Sequence, residues 1–184
     1  MLFDVALIPG LAVRDELIGA AEEAAFIERA AGLDLTPFRF QGFTGKRLTT
    51  SFGWRYDFET GRFAETEPIP GWLLPLRDSA AAFAGLAQSD LVQAMVIRYG
   101  PGAGIGWHRD RPVFDQVVGI SLGAPAVLNF RQRTATGFRR VKLPLPPRSA
   151  YHLTGEVRRE WEHGITAHDA LRFSITFRSL ASLV

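Results

Sequence analysis

The chain has 184 residues, 47% of them apolar and 22% charged, with no cysteine and a net charge of +2. That length buries a sizeable core without cross-links, and the lack of cysteine excludes a disulfide framework or a thiolate metal site. No apolar run approaches the roughly 18 residues of a membrane span, and MLFDVALIPG lacks a basic region ahead of its apolar stretch. Neither a membrane segment nor a signal peptide is therefore expected, and a cytoplasmic location is.

The charge is unevenly placed. Residues 1–90 carry 8 Lys+Arg against 13 Asp+Glu, and residues 91–184 carry 13 against 6, balances of −5 and +7. Lys46 and Lys142 are the only lysines. An arginine-rich half suits bidentate contact with phosphates, although a solvated surface has the same composition.

In chain order, Val13–Ala31 reads as a helix, with Leu17, Ile18, Ala21, Ala24, Ala25 and Ile27 at helical spacing and Gly32 as the stop. Phe38–Phe58 reads as an aromatic, Thr-rich hairpin broken by Gly42, Gly45 and Gly53. A second helix is expected over Trp72–Leu86, after Pro68-Ile-Pro-Gly71. From Val92 the pattern turns to short strands: Gln93–Tyr99, Gln116–Leu122, Ala126–Arg131, Gly137–Leu143, Ser149–Leu153 and Arg172–Ser179. Gly100-Pro-Gly102, Gly123-Ala-Pro125 and Pro144–Pro147 separate them. Helices followed by regularly spaced strands predict an α+β, mainly β fold, a jelly roll buttressed by N-terminal helices. One domain is expected, with helices and a hairpin in 1–91 and a catalytic core in 92–184.

A sparse polar set lies in the second half: His108-x-Asp110, His163, Arg172 and Arg178. Two imidazoles and a carboxylate form the facial set that suits non-haem Fe(II) and leaves positions open for O2 and a co-substrate. In an extended segment His108 and Asp110 point the same way. The third ligand is one of the other histidines. His163, 53 residues past Asp110, is favoured over His168 in a polar loop and His152 in a strand. Arg172-Phe-Ser-Ile-Thr-Phe-Arg178 alternates perfectly, with Phe173, Ile175 and Phe177 on one face and Arg172, Ser174, Thr176 and Arg178 on the other. If the polar face lines a lumen, its arginines need anionic partners. A dicarboxylate such as 2-oxoglutarate is such a partner, and Tyr99 can add a hydroxyl.

Together, Ile97-Arg-Tyr-Gly-Pro-Gly-Ala103, His108-Arg-Asp110, Gly119–Ala126, Glu162-His-Gly-Ile165 and Arg172–Arg178 resemble the AlkB family of Fe(II)/2-oxoglutarate dioxygenases over roughly residues 92–180. The resemblance implies a double-stranded β-helix with iron on His108, Asp110 and His163. It also implies 2-oxoglutarate on Arg172 and Arg178 with Tyr99, and Ser174 close by. Ile97 and Ser174 stand where the family often has Asn, and Arg111-Pro112 where some DNA-repair members have an acid; Asp115 lies a little further on.

Ser51–Phe58 is similar to the family's lid over the substrate, and Trp54 and Tyr56, sharing a face with Phe58, would stack an extruded base. The expected reaction is removal of N-alkyl groups from DNA or RNA bases, with succinate, CO2 and an aldehyde as products. Alkylated nucleic acid is then the partner, with no membrane and no obligate protein partner. Two alternatives are the same oxygenase chemistry on a protein side chain or metabolite, and a catalytically silent jelly-roll binding module.

Overall fold

The structure is a computed structural model that describes residues 8–40 and 43–182. The elements in chain order are β1 (Leu11–Arg14), α1 (Ala20–Ala31), β2 (Thr36–Phe40), β3 (Phe43–Phe52), β4 (Trp54–Tyr56), β5 (Phe63–Glu65), α2 (Leu74–Ala84) and β6 (Gln93–Tyr99). There follow β7 (Ala103–His108), β8 (Phe114–Gly123), β9 (Ala126–Thr134), β10 (Gly137–Leu145), β11 (Ala150–Leu153), α3 (Gly155–Glu160), β12 (Glu162–His168) and β13 (Arg172–Leu180). Single 3-10 turns at Gly71–Leu73 and Gln88–Asp90 flank α2.

Two antiparallel sheets form a jelly roll. The larger has the order β1-β11-β8-β13-β6-β3-β2, the smaller β10-β9-β12-β7, and β4-β5 make a separate ribbon. One apolar layer lies between the larger sheet and the helices, where Phe173, Ile175 and Phe177 of β13 meet Phe26 and Ala30 of α1 and Leu76 and Ala80 of α2. A second layer lies between the sheets, from Ile97, Tyr99, Leu128, Phe130, Tyr151, Trp161 and Ile165. The two-residue period of β13 thus sends its aromatic face to the helices and its polar face between the sheets. No described helix is long and apolar enough to cross a membrane.

The first helix differs from its expected range. It begins at Ala20, and residues 11–14 instead form an edge strand paired with Leu153–Ala150 of β11. Glu16 takes a positive φ of 51°, which no helix interior accommodates. Leu17 and Ile18 still pack on the helix-side core from this irregular stretch. Their apolar character was real, but the unpaired edge of β11 competed for the segment. The helix starts where Glu22 accepts a hydrogen bond from the Gly19 N–H at 2.8 Å, and Glu22 and Glu23 complement the positive end of its dipole.

The second helix is shorter than Trp72–Leu86, opening with the 3-10 turn and closing at Gly85, whose φ of +69° is the left-handed terminator that glycine favours. The expected hairpin resolves into β2, β3 and β4. Gly53 links the last two at φ +79°, where any Cβ would lie 2.0 Å from the Val92 carbonyl oxygen. Gly42, expected at its turn, falls outside the described residues. Strands β7 and β12 were not foreseen, because neither has alternating polarity.

Candidate active site

β7 and β12 lie side by side in the smaller sheet, with His163 directly opposite His108 and Ile165 opposite Ile105. Between these pairs Gly106 and Trp107 of β7 face the single Gly164 of β12, which is a bulge. It keeps both Ile105 and His108 on the inner face and turns Trp107 outward, 39% exposed. Asp110 follows β7 directly, and its side chain is 5% exposed. This pairing selects His163 among the candidates. His168 lies at the far end of β12 opposite Ala103, and His152 bonds to Gln116 at 2.8 Å in the other sheet.

One donor atom from each of His108, Asp110 and His163 falls within 4.8 Å of the others. Nε2 of His108 is 3.5 Å and Nε2 of His163 is 3.6 Å from the same Asp110 oxygen. Donors each about 2.1 Å from a shared ion sit roughly 3.0–3.4 Å apart, so a small contraction seats a metal. The ring of His108 donates from Nδ1 to the Gly106 carbonyl at 2.9 Å, which leaves Nε2 with its lone pair facing the other donors.

Charge states agree with that role. Burial, helped by His108 nearby, pushes the His163 imidazole down to about 3, so it is neutral at pH 7. Burial acts to raise the Asp110 carboxyl, but the Arg178 guanidinium first, and the two imidazoles after it, hold it well below its ordinary value. A neutral His163 and an ionised Asp110 beside His108 form a donor set of the type that matches Fe(II).

The two arginines of β13 divide. Arg178 donates from Nε to Asp110 at 2.6 Å, and from Nη1 to Gln93 at 2.9 Å and to Thr176 at 3.2 Å. Its fork is engaged by protein groups. Arg172 is fully buried, donates from Nε to Ser121 at 3.1 Å, and lies over the Tyr99 ring at 4.9 Å. Its Nη1 and Nη2 are buried and have no hydrogen-bond partner. An unsatisfied buried cation is costly, so this guanidinium is built for an anion. Ser174 is buried on the same face, in register with Ser121.

Several residues around the site carried no motif. Arg47 on β3 is buried, lowered by that burial while its hydrogen bond to Tyr99 favours the charge. Tyr151 crosses Gly119 so closely that a Cβ there would lie 2.2 Å from its ring; burial, then Tyr99, pushes its hydroxyl well up. Arg158 of α3 donates to the carbonyls of Asp115, Arg111 and Phe114, which holds the loop following Asp110 in place. Each reads in sequence as an ordinary strand or helix residue.

The cavity over Asp110 has a volume of about 340 Å³, with Arg47, Tyr56, Phe58, Met95, Trp107 and Arg111 on its walls. A polar groove of about 740 Å³ lies alongside β3 and β4 and shares Tyr56, Phe58 and Met95 with that cavity. Trp54, expected beside Tyr56, is not on the cavity wall. The β4-β5 ribbon supplies an internal partner, and the indole stacks on Phe63 at 4.8 Å. Tyr56 packs edge-on against Phe58 at 4.9 Å and accepts a hydrogen bond from Arg111 at 2.5 Å. Asp115 lies at the start of β8, where Arg158 holds its carbonyl, and is likewise absent from the wall.

The family model of the 2OG-Fe(II) oxygenase superfamily matches residues 37–178. The chain is 33% identical over 167 residues to tRNA (carboxymethyluridine(34)-5-O)-methyltransferase ALKBH8 of Macaca fascicularis, covering 88% of this chain and 25% of that protein. It is 27% identical to the alkylated DNA repair protein ALKBH8 homolog of Arabidopsis thaliana, covering 88% of this chain and 52% of that one. The structure of OsALKBH1 superposes with a TM-score of 0.70 at 16% identity, over 94% of this chain and 97% of that chain.

The protein belongs to the 2OG-Fe(II) oxygenase superfamily, and the relatives it is similar to carry the ALKBH8 name. It is a 2-oxoglutarate-dependent dioxygenase whose cofactor is Fe(II). The chain spans about a quarter of the length of the ALKBH8 methyltransferase it matches.

Proposed function

We propose that this dioxygenase oxidatively dealkylates N-alkylated bases in DNA or RNA, releasing an aldehyde, succinate and CO2. The observation that carries the reading is a buried arginine with two unpartnered nitrogens behind a His-Asp-His set, under an aromatic-walled cavity of about 340 Å³. The first two features bind a dicarboxylate and a metal, and the third suits a flat heterocycle. Relatives named for a tRNA methyltransferase and for alkylated DNA repair favour a base as that heterocycle.

His108, Asp110 and His163 hold Fe(II) in this reading, which when bound supplies the oxidising chemistry that couples substrate oxidation to loss of CO2 from 2-oxoglutarate. Arg172 grips the distal carboxylate of the co-substrate through Nη1 and Nη2, with Tyr99 and Ser174 beside it. Arg178 keeps Asp110 ionised and oriented, and it also faces the co-substrate. Tyr56 and Phe58 abut the base from one side, and Arg111 fixes the Tyr56 ring while supplying a donor at the cavity wall. Trp54 stiffens the lid through Phe63. Residues 1–91 then supply buttress and lid, and residues 92–184 the catalytic core.

The test is a panel of methylated oligonucleotides, methylated nucleosides and methylated peptides, read for succinate, formaldehyde and restored base. Base restoration by the wild type, absent in His108→Ala, is the expected result. Release of formaldehyde from the peptides alone would move the substrate to a protein side chain and leave the oxygenase chemistry intact.

A further inference from the structure

The smaller sheet carries an organised array on the face turned away from the active-site interior. The bulge in β7 presents Trp107 there. The Arg131 guanidinium carbon is 4.5 Å from the Trp107 ring centre and 4.5 Å from that of Phe138, so the group is held between two rings. Its Nε donates to Glu162 at 2.7 Å, which fixes its orientation.

The cross-strand register sets Arg140 opposite Arg131, Phe138 opposite Arg133 and Lys142 opposite Asn129, so all share this face. Arg133 and Arg140 lie over Phe138 at 5.2 and 5.4 Å. Along one strand these positions repeat every roughly 6.8 Å. Arg133, Arg140 and Lys142 are exposed. Among the described residues, none of the three has a carboxylate in ion-pair range. The acids nearby are already engaged, Glu162 by Arg131 and Glu160 by Gln132 at 3.3 Å.

This row is continuous with the catalytic site, because Trp107 also stands on the wall of its cavity. Beside the indole lies a shallow trough of about 380 Å³ floored by Gly104, Gly106 and Gly164, with Asn129 and Thr166 at its edge. Exposed guanidinium groups held over rings keep N–H groups available to receive phosphate oxygens. Exposed aromatic rings between cations are the platforms that single-stranded bases stack upon. An acidic protein partner would find cations here too, but it would have no use for a ring-and-guanidinium ladder that ends at the catalytic mouth.

We propose that the outer face of the β10-β9-β12-β7 sheet binds the single-stranded nucleic-acid segment flanking the target base. Arg133, Arg140 and Lys142 contact its phosphates, and Trp107 meets a neighbouring base. The proposal rests on the nucleic-acid reading of the site, and its substitutions lie outside the metal and co-substrate residues.

The experiment compares wild type with R133A/R140A/K142A, using unmodified 12-nucleotide RNA and DNA strands in fluorescence anisotropy across a salt series. The expected result is at least a 10-fold loss of affinity at low salt. The slope of log K against log salt should fall by about 2, since each single-strand phosphate contact contributes roughly 0.7. R133K/R140K should retain most of the slope, and 2-oxoglutarate turnover without substrate should be unchanged. Loss for one of the two strands assigns the surface to that nucleic acid. Unchanged affinity and slope in the triple variant, no wild-type binding to either strand, or a loss seen only with polyglutamate would overturn the proposal. Turnover of a methylated nucleoside, which has no phosphodiester, reports on the active-site reading separately: its failure with intact strand binding removes the substrate assignment alone.

Discussion

At Asp110 the local chemistry is a competition for one buried carboxylate among Arg178, His108 and His163. Removing its charge leaves Arg178 buried and unpaired on that side, a loss that typically costs about 3–5 kcal/mol. Asp110→Asn is therefore expected to abolish metal binding and also to lower the denaturant midpoint, which chemical unfolding of metal-free protein measures. At Arg172 the effect is reversed, since its partner arrives with the co-substrate. Arg172→Met should raise the dissociation constant for 2-oxoglutarate about 100-fold, from two charged hydrogen bonds at roughly 1.5 kcal/mol each. Titration calorimetry with Mn(II) present checks this, and an unchanged constant would move the carboxylate elsewhere.

The buried histidines also set a pH response. His163 is held neutral down to about 3 while the unfolded chain takes up a proton near 6.5. The unfolded state thus binds more protons below that pH, and stability falls as pH is lowered. Between pH 7 and 5 metal-free protein should lose about 2 kcal/mol through His163, with His152, lowered by burial, adding in the same direction. Urea unfolding at both pH values in wild type and His163→Gln isolates that share.

Among the elements, the cross-strand pair of Tyr151 on β11 with Gly119 on β8 is the most demanding. A Cβ on Gly119 would stand 2.2 Å from the Tyr151 ring, so Gly119→Ala must displace the tyrosine from beside Tyr99 and Arg172. The expected cost is about 1–3 kcal/mol, together with a raised KM for 2-oxoglutarate; thermal unfolding and steady-state assays read the two effects. The element scale is also where sequence reading succeeded unevenly. β13 was legible because Phe173, Ile175 and Phe177 alternate with polar residues and each face has a distinct destination. β7 and β12 were not, since glycines at 104, 106 and 164 erase the alternation and a bulge shifts its phase. The start of α1 was missed because Leu17 and Ile18 have helical spacing, whereas the segment before them is claimed by the open edge of β11.

Across the molecule, folding and ligand binding are linked, because the donor set exists only when β7, the loop after it and β12 are assembled. Anything that binds the assembled site alone stabilises it by mass action. Mn(II) and 2-oxoglutarate, each at about 100 times its dissociation constant, should add about 2.7 kcal/mol apiece. A chelator should remove that gain, and Arg172→Met should forfeit the co-substrate's share, as followed by Tm under anaerobic conditions.

Residue chemistry and period were enough to name His108, Asp110, Arg172 and the mainly β architecture, because donor type and face alternation are written locally. That His163, already favoured by its place in the sequence, faces His108 across a strand pair, which arginine is left open to an anion, and whether Trp54 or Tyr56 meets the cavity depended on partners far along the chain. Strand register and ring-on-ring packing choose those partners, and neither is a property of any short stretch of residues.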